Sequence, residues 1–405
     1  MARTPPRKSV ARTPAAKAGR QVRPAAARRG GARTEGDAKT AGGLADLRSQ
    51  IDAVDSQLHE LLNQRARLAR QVGVSKHRDG HLVDFYRPER EAQVLQQALE
   101  RNAVARNTGA LRDEEVVRLF REIMSACLAQ EEPLKVAFLG PEGTFSQTAV
   151  HKHFGHSVRA LSLVSIDEVF HEVEAGHADF GVVPVENSTE GSVNHTLDRF
   201  LTSPLKICGE VELRIQQCLM GRMDSLQQIR RVCSHPQSLA QCRQWLNENL
   251  PDVERIAVSS NAEAARRARD EVGTAGIAGQ TAAEVYGLTL LAPGIEDRPD
   301  NTTRFFVVGR RVFGASGRDR TTLLVSTGKT EAPGALYRLL EPLAQNRISM
   351  TRIESRPSQR GKWDYVFFID VEGHVEDAPV AAALTELKSR ASLFRVLGSY
   401  PRAIL

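Results

Sequence analysis

The stretch IEDRPDNTTRFF, residues 295–306, decides how this chain folds around its candidate site. Its first half contains the turn-forming residues Pro299, Asp300 and Asn301, and the run from Phe305 to Val308 is apolar, as in a buried strand. Hydroxyls and a guanidinium therefore stand where a strand begins, which is a common place for an active site in an open α/β sheet. The same pattern also fits a turn cap without a catalytic role, so both interpretations stay open at this point.

The length and the distribution of charge limit the class of protein. A chain of 405 residues is too long for one ordinary core, so we expect several domains. Residues 1–40 hold eleven Lys and Arg against two acids, so this segment has a formal charge of +9 and the remainder −3. The mildly acidic remainder argues against specific nucleic-acid binding. The basic tail, residues 1–42, fits a solvated disordered segment, an organelle transit peptide or an arm that binds polyanions.

Cysteine usage and hydropathy point to a reducing compartment. The five cysteines form no C-x-x-C pair, and their odd number suits free thiols: Cys127, Cys208, Cys218, Cys233 and Cys242. No stretch approaches the roughly 18 apolar residues that a membrane span needs, and the basic tail lacks the apolar segment of a secretory signal. We therefore expect a cytoplasmic protein without membrane contact.

Residues 43–132, the helical region, show a helical repeat. A long helix of about 34 residues is predicted by apolar residues spaced mostly by threes and fours: Leu44, Leu47, Ile51, Val54, Leu58, Leu61, Leu68 and Val72. Two more helices are predicted near Pro88–Arg101 and Asp113–Gln130. Because three helices of unequal length rarely cover so long a stripe, we expect helix exchange in a homodimer or a larger homo-oligomer.

Charged residues follow this repeat at informative spacings. Arg65 and Lys76 are eleven residues apart, which places them close to one face of a helix, whereas Arg48 lies on a different surface. Arg90 and Glu91 open the second helix, and Cys127 and Glu131 stand one turn apart at the end of the third. Spacing alone favours an ordinary solvated charged surface.

The same residues carry a resemblance to the all-helical chorismate mutases, through Leu47-Arg48, Arg65, Lys76 and Arg90-Glu91. Those enzymes rearrange chorismate to prephenate without a cofactor, using cations for two carboxylates and a donor on the ether oxygen. The resemblance implies these roles: Arg65 and the partner's Arg48 hold carboxylates, Lys76 bonds the ether oxygen, Arg90 orders the site and Glu91 takes the ring hydroxyl. Cys127 and Glu131 complete the candidate set.

Glu131 departs from the mutase pattern, because some relatives have a glutamine there as the second donor to the ether oxygen. A carboxyl group donates a hydrogen bond only when it is protonated. The sequence therefore predicts that mutase activity rises toward acidic pH, or that burial raises the pKa of Glu131.

Residues 134–311, the middle region, alternate strands and helices. Ser165 with Glu168, and Ser260 with Glu263, are typical of helix starts. Polar turns follow predicted strands at 140–146, 185–191, 234–238, 259–261 and in the opening stretch, 295–306, so we expect them to converge in one cleft of a two-lobed α/β domain, with the chain crossing back near Leu288. The first turn lacks the glycine patterns of nucleotide-binding loops, and His151, His153 and His156 have no nearby acid, so we expect surface histidines and neither a cofactor nor a metal.

Together these turns resemble the prephenate dehydratases, through Gly-Pro-x-Gly-Thr-Phe-Ser at 140–146, Val-Glu-Asn-Ser at 185–188 and Thr-Arg-Phe at 303–305. That family converts prephenate to phenylpyruvate. The resemblance implies that Thr303 is the essential hydroxyl, that Arg304 binds substrate, and that Asn187 and Ser188 supply hydrogen bonds. Thr303 either donates the proton to the departing hydroxyl itself or relays and orients it.

Residues 320–405, the C-terminal region, have the order strand, helix, strand, strand, helix, strand, which is ferredoxin-like. They resemble the ACT regulatory domain that follows the dehydratase in this family. The resemblance implies a phenylalanine site at Gly334, Ala335 and Leu336 and at Glu354, Ser355, Arg356 and Pro357. A glycine at a helix start leaves backbone N–H groups open to a carboxylate.

The sequence therefore predicts an enzyme that converts chorismate to prephenate and prephenate to phenylpyruvate under feedback inhibition by L-phenylalanine. Two alternatives remain: a dehydratase whose helical region only mediates dimerisation, and a non-catalytic amino-acid sensor.

Overall fold

The computed structural model describes residues 35–78, 86–103, 111–130, 133–328, 333–358 and 364–404, with side chains of the first helix from residue 43 to 72. The chain divides into two compact units at Leu61. Across the described residues, the structure contains no helix that is both long and apolar enough to span a membrane.

The helical region contains α1 (Glu35–Arg78), α2 (Pro88–Ala103) and α3 (Asp113–Leu128), which confirms the three predicted helices. Helix α1 begins eight residues before the predicted start at Gly43. The side chains of the predicted apolar stripe of α1 are between 50% and 59% exposed. This stripe therefore remains available to another surface.

The middle region contains eleven strands among the described residues: β1 (Lys135–Leu139), β2 (Arg159–Leu163), β3 (Phe180–Asn187), β4 (Gly191–Ser192), β5 (Lys206–Arg214), β6 (Cys218–Gly221), β7 (Arg231–Ser234), β8 (Glu254–Ala257), β9 (Thr274–Ala278), β10 (Thr289–Ala292) and β11 (Thr302–Gly309). Its helices are α4 (Phe145–Phe154), α5 (Ile166–Ala175), α6 (Asn194–Phe200), α7 (Pro236–Gln241), α8 (Arg243–Asn249), α9 (Asn261–Asp270) and α10 (Gln280–Tyr286).

Two sheets organise these strands. The central sheet has the order β2-β1-β3-β11-β5, with β4 beside β3, and the second sheet has the order β10-β6-β9-β7-β8. Strand β11 is antiparallel to both of its neighbours, β3 and β5. The predicted crossing near Leu288 was wrong: β10 still pairs with β6, and the chain rejoins the central sheet only at Thr302.

Helix capping in the middle region follows the sequence. The side chain of Ser165 accepts a hydrogen bond from the backbone N–H of Glu168, and Ser260 does the same for Glu263. Both predicted helix starts are confirmed, and Ser260 fixes the N-terminus of α9.

The C-terminal region contains β12 (Asp319–Ser326), α11 (Ala335–Gln345), β13 (Met350–Pro357), β14 (Tyr365–Glu372), α12 (Ala378–Arg390) and β15 (Leu393–Pro401). The strands form an antiparallel sheet in the order β13-β14-β12-β15. Both the element order and the strand order are those of a ferredoxin-like fold, as predicted.

The two faces of the central sheet bury different cores. One core combines Phe306 and Phe200 with Phe368 and Tyr400 of the C-terminal region. The other combines Phe305 and Phe138 of the central sheet with residues of α4 and with Tyr86, just before α2. The central sheet is therefore covered by the C-terminal region on one face and by α4 and the chain around α2 on the other.

Gly398 explains how closely β15 approaches β5. A Cβ atom at Gly398 would lie 2.1 Å from the backbone oxygen of Ile207. Because that contact is with backbone, no side-chain rotation relieves it, so only glycine permits this approach.

Candidate active site

A cleft of about 630 Å³ lies between the two sheets of the middle region. Its lining includes one residue from each predicted polar turn: Gly140, Asn187, His235, Ser260 and Thr303. Gly140, Asn187, His235 and Ser260 lie at or just after the carboxyl ends of β1, β3, β7 and β8, and Thr303 meets Asn187 because it begins β11, which is antiparallel to β3. The predicted convergence of the five turns in one cleft is confirmed.

Thr303 and Asn187 form a hydrogen-bonded pair in this cleft. They are direct partners in the register of β11 and β3, and Asn187 Nδ2 donates to Thr303 Oγ1 at 2.8 Å. Asn187 Oδ1 accepts from the backbone N–H groups of Thr189 and Glu190, at 3.0 and 3.1 Å, which fixes the orientation of the amide. Thr303 Oγ1 thus accepts a hydrogen bond from Asn187, and the hydroxyl proton of Thr303 can be donated to another group.

A second polar wall of the cleft comes from the second sheet and its helices. Asn261 Oδ1 accepts hydrogen bonds from Ser234 Oγ and Ser238 Oγ at 3.1 and 3.0 Å. Gln217 Nε2 donates to Ser238 Oγ at 3.1 Å and to Gln241 at 3.2 Å. Sequence reasoning placed Ser234, Ser238 and Asn261 in converging turns but missed Gln217, because a single glutamine between two strands gives no recognisable pattern.

The cleft carries little formal charge. Among the described lining residues, His235 and Glu263 are the titratable side chains, and none is lysine or arginine. The N-termini of α4 and α9 both open onto the cleft, through Thr144, Phe145, Ser260 and Asn261. Helix N-termini carry partial positive charge and unpaired N–H groups, so the cleft suits an anion without a basic side chain.

The structure does not bring Ser188 into the cleft wall. Ser188 Oγ accepts from the backbone N–H of Thr302 at 3.0 Å, and Ser188 N–H donates to the oxygen of Thr302 at 2.9 Å. Ser188 is therefore hydrogen-bonded to the start of β11, and its predicted hydrogen bond to substrate does not fit this placement.

Arg304 likewise lies away from the cleft, because successive side chains of a strand point to opposite faces. Its guanidinium donates to Asp370 at 2.6 Å, to Glu210 at 2.8 Å and to the hydroxyl of Tyr400 at 3.1 Å. Burial lowers the pKa of Arg304, but Tyr400, Asp370 and Glu210 outweigh burial and raise the pKa above its usual value. The prediction that Arg304 binds substrate therefore needs correction: Arg304 faces the C-terminal region.

The structure also shows how the helical region's candidates are placed. Arg65 Nη1 lies 3.5 Å from the backbone oxygen of Ile123, and Arg48 and Arg90 are exposed. Cys127 is buried. The side chain of Lys76 and all of Glu131 lie outside the described residues.

Glu91 pairs with Arg121 in the single chain. Its carboxylate lies 3.4 Å from Nε of Arg121 on α3. Burial raises the pKa of Glu91, and Arg121 opposes that change. Glu91 borders a small pocket with Tyr86 and His153, so its predicted bond to the substrate hydroxyl would require exchanging Arg121 for substrate.

The residues of the predicted phenylalanine site that lie on β13 point alternately to its two sides. Glu354 accepts from Ser192 Oγ at 2.8 Å, and Arg356 pairs with Asp198 at 2.8 Å, both in the middle region. Ser355 and Pro357 are exposed on the other side. Gly334 precedes Ala335 and Leu336 at the start of α11 with a φ of 78°, a conformation that favours glycine.

The fold and the cleft define a class: a multidomain α/β protein with a small-molecule site between two sheets and an appended ferredoxin-like domain. Family models match in three places: chorismate mutase type II at residues 47–132, prephenate dehydratase at 136–312 and the ACT domain at 322–389. A bifunctional chorismate mutase/prephenate dehydratase of Stutzerimonas stutzeri is 53% identical over 366 residues, which is 89% of this chain and 98% of that protein.

Two solved structures resemble the part of the chain that follows the helical region. A prephenate dehydratase in complex with L-Phe from Arthrobacter aurescens is 36% identical, with a TM-score of 0.62, over 67% of this chain and 90% of that one. A quorum quenching acylase is 32% identical, with a TM-score of 0.60, over 66% of this chain and 98% of that one. The shared fold alone therefore does not assign the reaction.

The relative that matches over nearly its whole length, together with the three domain matches, decides the assignment. The chain belongs to the family of bifunctional chorismate mutase/prephenate dehydratases. It is an enzyme with chorismate mutase and prephenate dehydratase activity.

Proposed function

We propose that the chain carries out two consecutive steps of phenylalanine synthesis, with the dehydratase step in the cleft around Thr303. The helical region rearranges chorismate to prephenate, and the middle region converts prephenate to phenylpyruvate. The observation that carries the second assignment is the Asn187–Thr303 hydrogen bond at 2.8 Å, because it leaves the hydroxyl proton of Thr303 free in the cleft.

In the dehydratase step, prephenate loses its ring carboxylate as carbon dioxide and its ring hydroxyl as water. The electron pair of the breaking C–C bond enters the ring, the C–O bond breaks, and the ring becomes aromatic. Thr303 donates a hydrogen bond to the departing hydroxyl, which stabilises the negative charge that develops on it. Asn187 holds the threonine in that orientation. The departing oxygen takes up one proton from solvent to become water, and Thr303 orients this proton transfer, because an unassisted threonine is a weak acid.

The carboxylates of prephenate are held by the N-termini of α4 and α9 rather than by basic side chains. This fits the absence of lysine and arginine among the described residues of the cleft wall. The two sheets act as two lobes that enclose the substrate, and the exclusion of water favours loss of carbon dioxide.

For the mutase step, the half-exposed stripe of α1 supports a dimer that exchanges helices. Arg65 and the partner's Arg48 hold the substrate carboxylates, Lys76 bonds the ether oxygen, and Arg90 orders the site. Glu91 takes the ring hydroxyl on leaving Arg121, and Cys127 and Glu131 border the site. The domain limits proposed are 43–132, 134–311 and 320–405, after a basic tail over residues 1–42.

The C-terminal region binds L-phenylalanine and lowers dehydratase activity when the amino acid accumulates. Support comes from the ACT match and from the relative solved in complex with L-Phe. The candidate residues are Gly334, Ala335, Leu336, Glu354, Ser355, Arg356 and Pro357. Free, buried cysteines and a soluble substrate suit a cytoplasmic enzyme.

The test is product analysis with purified protein supplied with chorismate. Wild type should form phenylpyruvate, and Thr303→Ala should accumulate prephenate because only the second step loses its donor. The matched control is Thr302→Ala, which removes the neighbouring hydroxyl; that hydroxyl bonds the backbone oxygen of Asp300 instead. Phenylpyruvate formed at the wild-type rate by Thr303→Ala would refute the assignment.

A further inference from the structure

The strands β3 and β11 place two adjacent residue pairs on opposite faces of the central sheet. In their register Thr303 is opposite Asn187, and Arg304 is opposite Glu186. The first pair lies in the cleft and the second faces the C-terminal region. Each member of the charged pair is joined to a cleft residue by a single peptide bond, so displacing one displaces the other.

The C-terminal region holds Arg304 through two strands. Asp370 on β14 accepts from Arg304 Nη1 at 2.6 Å, and the hydroxyl of Tyr400 on β15 accepts from Nη2 at 3.1 Å. Thr322 donates to Asp370 Oδ1 at 2.7 Å and lies at the same distance from the hydroxyl of Tyr400. The side chains of Asp370 and Tyr400 are fully buried, so both acceptors are fixed in place.

A third contact holds Glu186. Arg352 Nε on β13 lies 3.0 Å from Glu186 Oε2, and Arg352 Nη2 donates to Ser192 Oγ at 2.8 Å. Ser192 is the partner of Glu186 in the pairing of β3 with β4. Arg352 therefore connects β13 to the strand that carries Asn187.

From this arrangement we propose that Asp370, Tyr400 and Arg352 are positioning residues of the dehydratase site. They belong to the C-terminal region and do not touch the cleft; they act by fixing Arg304 and Glu186, and with them the backbone of Thr303 and Asn187. The proposal rests on the proposed role of Thr303.

The chemistry gives such residues a specific signature. A donor displaced by about 1 Å can lower a rate about a hundredfold. Substrate binding depends on the whole cleft wall, including the N-terminus of α9 on the second sheet. Loss of a positioning contact should therefore lower kcat and leave KM nearly unchanged. The mutase step, in the helical region, should be unaffected.

The experiment compares full-length variants Asp370→Asn, Tyr400→Phe and Arg352→Met with wild type. We expect dehydratase kcat to fall about tenfold in Asp370→Asn and less in the other two, with KM within about twofold. Guanidinium unfolding of each variant reports whether the middle and C-terminal regions are folded, and the mutase rate on the same sample reports on the helical region. The matched control is Lys206→Met, since Lys206 Nζ donates to the backbone oxygen of Val396 and thus joins the same two regions without reaching Arg304 or Glu186.

Three results overturn the proposal: unchanged kcat in the variants, a rise in KM alone, or an equal loss of kcat in Lys206→Met. If Asp370→Asn does not fold, the milder Tyr400→Phe and Arg352→Met decide the question by the same criteria. Thr303→Ala separates this proposal from the proposed function. If Thr303→Ala is inactive while the three variants keep kcat, the positioning role fails and the function stands. If Thr303→Ala keeps full dehydratase activity, the proposed role of Thr303 is wrong, and the positioning proposal fails with it.

Discussion

The two faces of β11 bury polar groups with different kinds of partner. On the face with Thr303, Phe305 and Val307, the polar contacts of Thr303 in the cleft are neutral hydrogen bonds between hydroxyls and amides. On the face with Arg304, Phe306 and Val308, a buried guanidinium meets Glu210 and Asp370. Both faces continue into apolar cores.

The face with the neutral hydrogen bonds holds the candidate reactive groups, and the charged face holds the contacts between the middle and C-terminal regions. If prephenate binds in the cleft as proposed, the neutral donors there leave its carboxylates as the main charges, and helix N-termini can orient them. Charged groups on the other face are costly to bury singly, yet together they hold two domains in one geometry. With the proposed role of Thr303, adjacent residues of one strand serve two functions that would interfere on a single face.

The largest expected effect comes from breaking the charged face. Arg304→Met should lower the free energy of unfolding by about 3–5 kcal/mol, because the buried carboxylates of Asp370 and Glu210 lose the cationic partner that Arg304 provides. Guanidinium unfolding of the full chain measures this. Arg356→Met is the matched control: it removes another arginine that joins the same two regions, but its partner Asp198 is 29% exposed, so we expect a loss of less than about 1 kcal/mol. Equal losses would show that the buried network has no special contribution.

The sequence predicted the elements and the cleft better than the role of each side chain. Turn residues, capping serines and the strand–helix order are local signals, and they correctly located the five turns and the ferredoxin-like order. Both Thr303 and Arg304 were predicted to serve the substrate site, although adjacent residues of a strand point to opposite faces and only one of them can line the cleft. The partners of Arg304 decide which one, and Glu210 and Asp370 are 94 and 66 residues away in sequence.

Long-range packing also explains the other differences. Glu91 was predicted to face substrate, but its partner in the single chain is Arg121 on α3, 30 residues later in the sequence. His153 was predicted at the surface, yet it contacts Tyr86, 67 residues earlier. Neither contact follows from local periodicity, because periodicity identifies a buried face without identifying its partner.

A smaller expected effect tests the neutral face. Asn187→Asp keeps the shape of the side chain but leaves no donor for Thr303, and it introduces a charge into the cleft. Dehydratase kcat should fall about a hundredfold, equivalent to about 2.7 kcal/mol, while the mutase rate stays unchanged. Phenylpyruvate formation from prephenate measures it, with exposed Asn249→Asp as the control. An unchanged kcat would mean that Thr303 needs no orienting donor.

The smallest expected effect concerns a neutral contact deeper in the same face, between His153 Nε2 and the hydroxyl of Tyr86 at 3.0 Å. Burial, with a smaller contribution from Arg121, lowers the pKa of His153 from 6.5 to about 3. Between those pH values the unfolded chain takes up a proton that the folded chain does not, so stability must fall as pH falls below 6.5.

His153→Gln keeps a polar group beside Tyr86 but does not titrate. Wild type should therefore lose about 2 kcal/mol more than His153→Gln when the pH is lowered from 7 to 5, as measured by denaturant unfolding. Above pH 7 the two proteins should show the same pH dependence, because the histidine is then neutral in both states. Parallel curves down to pH 5 would show that the imidazole is protonated within the fold, and this face of the sheet would then also contain a buried charge.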